Sequence, residues 1–107
     1  MIDKDDFRKA VYCIVAAVPQ GKVMSYGSVA RSAGYPGYHR LVARVLKGAS
    51  SQLGLPCHRI VNNQGRLVPG WKNQKVLLLA EKVIIKSNGC VDMGRCSWNP
   101  MEDLSVF

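Results

Sequence analysis

The sequence predicts a small, mainly α-helical single domain, with a winged-helix-like helix-turn-helix and a few short β segments. Three observations lead there. The 107 residues, 48% of them hydrophobic, are enough for one core and one domain spanning residues 1–107. Apolar residues recur at helical spacing in several stretches. Two of those stretches are short and joined by a turn containing Gly and Pro, the pattern of a helix-turn-helix.

Taken in order, Phe7, Val11, Ile14, Val15 and Val18 predict a first helix over 3–18, with Asp3 or Asp5 as its N-cap and Cys13 on its apolar side. Pro19-Gln20-Gly21 ends it. Lys22 to Met24 is short and extended, after which Ser25 can cap a second helix running to Ser32 or Ala33, with Gly34 as its stop. Tyr35-Pro36-Gly37 is a tight connection to a third helix through Leu41, Val42, Val45 and Leu46, ending at Gly48. Arg40, Arg44 and Lys47, spaced by four and three, fall along one side of it. Ala49 to Gly54 reads as loop, and Arg59 to Val61 as a short buried strand. Asn62-Asn63-Gln64-Gly65 is a turn, and a last amphipathic helix covers 73–82, burying Val76, Leu77, Leu79 and Ala80. Val83 to Ile85, Ser87-Asn88-Gly89 and the run near Val91 suit a hairpin.

Charge narrows the function. Fifteen Lys and Arg against seven Asp and Glu give +8, and no carboxylate occurs between Phe7 and Ala80, where eleven bases lie. Such a stretch is the electrostatic footprint of a polyanion partner, nucleic acid first. No apolar run approaches the length that crosses a bilayer, no long helix pairs a basic with an apolar face, and the acidic start is unlike a secretory signal. The expected compartment is therefore the cytoplasm, with nucleoid association in a bacterium. Cys13, Cys57, Cys90 and Cys96 lack C-x-x-C spacing, and with only His39 and His58 beside them no metal site is expected.

Cys57 is the thiol with chemistry around it. His58 and Arg59 follow it directly in an acid-free segment, which lowers the cost of a thiolate. His58 can relay the proton, and Glu81, the one carboxylate within the body of the fold, can orient the imidazole. Cys57, His58 and Glu81 are thus the candidate catalytic set. Cys90 and Cys96 have no basic partners and read as structural or incidental.

Leu55-Pro56-Cys57-His58-Arg59-Ile60-Val61 resembles the active-site signature of the O6-alkylguanine-DNA alkyltransferases. Ser25-Tyr26 at the start of the second helix, Ala33-Gly34 at its end, and Arg40 seventeen residues before Cys57 match the same family, over about Phe7 to Glu81. The resemblance implies a cofactor-independent repair reaction on double-stranded DNA containing O6-alkylguanine, by a monomer. The recognition helix enters the minor groove, Arg40 fills the gap left by the extruded base, and Tyr26 crowds the phosphate. Cys57 then takes the alkyl group irreversibly. DNA contacts are expected from Ser25, Tyr26, Arg40, Arg44, Lys47 and Arg59, and a lesion pocket from Tyr26, Pro56 and Trp71.

Several features depart from that pattern. Ala49 stands where the family has Asn, and Tyr38, His39, Leu41 and Arg44 occupy a helix that is usually rich in Ala and Gly. The closing loop is shortened to Leu67-Val68-Pro69-Gly70-Trp71. These features and Trp98-Asn99-Pro100 resemble a sister group, the alkyltransferase-like proteins, which bind the lesion without an acceptor cysteine and pass it to nucleotide excision repair proteins. The alternative function is therefore lesion recognition without transfer.

Overall fold

The computed structural model describes residues 2–100. Helix α1 spans Lys4–Ala17, and the Asp3 carboxylate caps it by accepting from the Asp5 and Asp6 amides at 2.9 and 3.2 Å. Phe7, Val11 and Val15 form its buried stripe, continued by Val18. Cys13 does not share this face. Two residues beyond Val11 is about 200° around a helix, and the thiol there is exposed.

Strand β1, Met24–Ser25, pairs in parallel with β2, Ile60–Val61, with Met24 opposite Ile60 and Ser25 opposite Val61. Successive side chains of a strand point to opposite faces, and the pair uses this to join two cores. Met24 and Ile60 enter the first, with Phe7, Val11, Val29 and Val42. Val23 and Val61 enter the second, with Leu78, Val83, Val91 and Cys96.

Helix α2 is Tyr26–Ser32, capped by the Ser25 hydroxyl, which accepts from the Ser28 amide at 3.1 Å. It ends in a Schellman motif: Tyr35 N–H donates to the Ala30 carbonyl and Gly34 N–H to that of Arg31. Gly34 has φ +94°, a left-handed conformation that glycine adopts without penalty. The turn is clamped by aromatic side chains, Tyr35 meeting Phe7 edge-on at 5.0 Å and Tyr38 packing against both. Helix α3 follows as His39–Leu46, burying Val42 and Leu46 and leaving Arg40 and Arg44 exposed.

Residues expected to be loop instead form the short helix α4, Ala49–Leu53. Ala49 is buried in the first core, and Gly48, at φ +80°, turns the chain out of α3 and into α4. Cys57–Arg59 is a 3-10 turn leading into β2, so the strand begins one residue later than anticipated. Helix α5 is Asn73–Ala80, and its buried residues are Gln74 and Leu78. The expected face was wrong: Leu77 is half-buried, Ala80 is exposed, and Val76 and Leu79 are 61% and 50% exposed.

The tail makes the anticipated hairpin through an antiparallel bridge between Ile85 and Val91. It then adds a helix that periodicity did not reveal, α6, Met93–Cys96, capped by Asp92. Ser97 bridges Val23 in parallel, so the C-terminal segment flanks β1 on the side away from β2. Gly65 fits closely here. Its carbonyl accepts from the Val91 amide at 2.8 Å, and a β-carbon on it would collide with the Val91 carbonyl.

Candidate active site

The 3-10 turn at Cys57–Arg59 sends three neighbouring side chains to different ends. Cys57 is buried, and its thiol donates to the Leu46 carbonyl at 3.9 Å. His58 and Arg59 converge on Glu81, the C-cap of α5. His58 Nε2 is 2.9 Å from Glu81 Oε2. Arg59 grips both carboxylate oxygens, Nε to Oε1 at 2.9 Å and Nη2 to Oε2 at 2.6 Å, while Nη1 donates to the Val18 carbonyl at 2.8 Å. A bidentate guanidinium–carboxylate pair is strong and directional.

These partners set the local electrostatics. Hydrogen bonds from Arg59 lead in holding the Glu81 carboxyl at about 2, against the opposing effect of burial, and His58 adds to them. Burial pushes the Cys57 thiol up from its ordinary value. From the sequence, the basic neighbours were expected to favour the thiolate. In the fold, the Arg59 charge is committed to Glu81, so desolvation governs the thiol. Among the described residues no hydrogen bond joins the thiol to His58, whereas His58 and Glu81 are in direct contact.

Cys57 lies in the wall of a cavity of about 590 Å³ between the end of α3 and the start of α5. Tyr26 and Trp71 line it, with Leu46, Val68 and Leu77 supplying apolar surface. Pro56 precedes the wall and does not line it. Tyr26 is pushed above the usual phenol range by burial and then by Cys57, so its hydroxyl stays protonated and able to donate. Such a space, mostly apolar with a few polar groups, has the character of a small-molecule pocket.

The bases expected on one side of α3 separate. Arg40 and Arg44 border an open depression with Tyr38, His39 and Leu41, whereas Lys47 lines the cavity. Ser25 is buried as a helix cap, and Arg59 points inward to Glu81 instead of toward the outer surface.

Gln74 is the residue that sequence reasoning missed. Fully buried, it donates to the His58 and Ile60 carbonyls at 3.1 and 3.2 Å and accepts from the Val68 amide at 2.7 Å. It therefore ties the Cys57 turn to the cavity wall at Val68. Set among Lys72, Asn73 and Lys75 in the sequence, it carried no signal that would mark it as buried. Among the described residues no group of three or more His, Cys, Asp or Glu side chains is placed to hold a metal ion.

Residues 6–83 match the family model described as 6-O-methylguanine DNA methyltransferase, DNA binding domain. The chain belongs to the O6-alkylguanine-DNA alkyltransferase family. Within that family it is 41% identical over 102 residues to a DNA base-flipping protein of Escherichia coli, covering 92% of this chain and 79% of the relative. The fold is similar to that of Schizosaccharomyces pombe Atl1 in complex with damaged DNA containing O6-carboxymethylguanine, with a TM-score of 0.81 at 31% identity, covering 92% of this chain and all of that one. It is also similar to Mycobacterium tuberculosis O6-methylguanine methyltransferase, with a TM-score of 0.59 at 29% identity over 72% of this chain and 48% of the other. Membership of the alkyltransferase family makes the chain a DNA repair protein carrying that family's DNA-binding domain. No helix among its described residues is long and apolar enough to cross a membrane.

Proposed function

We propose that the chain binds duplex DNA containing O6-alkylguanine, rotates the damaged base into the cavity, and transfers the alkyl group once to Cys57. The observation that carries this reading is the position of the Cys57 thiol in the wall of a cavity bounded by Tyr26 and Trp71, one residue from a His58–Glu81 pair. Extruding a base costs a few kcal/mol, less for a damaged pair. Arg40, exposed near the start of α3, is suited to fill the vacated stack, and Tyr26 to crowd the phosphate.

In the transfer a sulfur–carbon bond forms as the bond from the alkyl carbon to O6 breaks. For this the thiol must turn from the Leu46 carbonyl toward His58, which takes its proton, with Glu81 stabilising the charged imidazole, and passes it to the departing guanine. No cofactor enters this balance. Because burial raises the thiol, the transfer rate should climb with pH through and beyond the ordinary cysteine range near 9.

A second reading is recognition without transfer, the lesion being flagged for nucleotide excision repair proteins. It is supported by the burial of Cys57 and by its hydrogen bond to the Leu46 carbonyl in place of His58. The two readings separate by weighing the intact protein after incubation with an oligonucleotide duplex containing O6-methylguanine. A gain of one methyl group that disappears in Cys57→Ser is the outcome expected of the transferase. Unmodified protein in a tight, lesion-dependent complex leaves recognition alone.

A further inference from the structure

Lys47 is the C-cap of α3, and its backbone turns out of the helix to φ −62° and ψ 119°. That turn separates it from Arg40 and Arg44 and brings it to the cavity that contains Cys57. Among the described residues lining the cavity it is the only charged side chain, and no carboxylate lines the space. Asn73, the first residue of α5, adds an amide to the same lining. The remaining surface is largely apolar, which would reject an unpaired anion and strengthen a paired one.

We propose that the cavity sorts O6 substituents by charge, and that Lys47 and Asn73, both in its lining, form a subsite for a carboxylate carried on the O6 group. The inference rests on the reading that the cavity receives the flipped base. A phosphate-contacting lysine is indifferent to what the guanine carries. A lysine in the lining of the lesion cavity is not. An ammonium–carboxylate contact in a partly dehydrated space is stronger than the same pair in open solvent, and Asn73 can donate a further hydrogen bond. At about 590 Å³ the cavity is within the range that encloses a substituted base.

The test compares three duplexes of one sequence, carrying guanine, O6-methylguanine or O6-carboxymethylguanine. Binding is followed by fluorescence anisotropy at fixed salt in the Cys57→Ser background, so that no transfer intervenes. The parent should bind the carboxymethyl duplex more tightly than the methyl duplex. Lys47→Gln should lower affinity for the carboxymethyl duplex roughly ten-fold more than for the methyl duplex, and Lys47→Arg should retain most of the preference. Equal loss on all three duplexes would make Lys47 a phosphate contact and overturn the proposal while leaving base flipping intact. A parent that binds neither lesion better than guanine would overturn base flipping and the charge subsite together. Lys47 is exposed, and unchanged circular dichroism of both variants would confine the effect to binding.

Discussion

Glu81 receives both Arg59 and His58, and its response to pH follows from that geometry. The carboxyl is held at about 2 against the usual 4.5, so the folded state favours the ionised form. Stability from this source is complete above the unfolded value near 4.5 and is lost as pH falls from there toward 2. Screened in part by solvent, it amounts to about 1–2 kcal/mol at neutral pH. Glu81→Gln should therefore unfold in less urea than the parent at pH 7, with the gap narrowing as pH drops through 4 toward 2.5. A gap independent of pH would assign the loss to packing. The sequence made Glu81 legible because it ends an acid-free stretch. It did not reveal that Arg59 would be its first partner, since adjacency along the chain gives no hint that Arg59 faces inward while Arg40 and Arg44 face out.

Helix α5 shows why one element was found and its face misassigned. Val76 to Ala80 is an unbroken apolar run, so it carries no 3.6-residue period to identify the buried side. The decision falls to Gln74 and Leu78, one turn apart, which both reach the interior. Gln74 can do so because all three of its hydrogen bonds are met by the backbone of the Cys57 turn, β2 and the Val68 segment. Gln74→Leu keeps the bulk but strands one amide and two carbonyls. It should cost about 3 kcal/mol in denaturant unfolding, while Val76→Ser on the exposed face should stay within about 0.5 kcal/mol. A large loss at Val76 would mean that the outer face is covered. Two caps were readable: Ser25 holds α2 as anticipated, and of the two candidates Asp3 and Asp5 it is Asp3 that caps α1, whereas the Asp92 cap of α6 was not foreseen. Helices α4 and α6 are too short to show a period and owe their form to buried Ala49 and Cys96.

Across the whole molecule, the two cores meet at the β1–β2 pair, and the proposed chemistry lies beside that junction, with the Cys57 turn leading directly into β2. The charge arrangement is equally divided. Glu81 is neutralised internally, whereas the bases of α3 are exposed with no acid in that part of the chain. Undamaged duplex should therefore bind with an affinity that falls linearly in logarithmic salt, as phosphate neutralisation requires. Arg40 and Arg44 border the same depression but are proposed to act differently. Arg44→Ala removes a phosphate contact, so it should weaken undamaged and lesion duplexes alike and reduce the salt slope by about one. Arg40→Ala removes the side chain that fills the vacated base stack, a state that exists only after extrusion. Its loss on the lesion duplex should exceed that on undamaged duplex by about ten-fold, with little added change in slope. Titrations of both variants at several salt concentrations measure the two effects together. Matching behaviour of Arg40→Ala and Arg44→Ala would place both arginines on phosphates and require another side chain to hold the gap open.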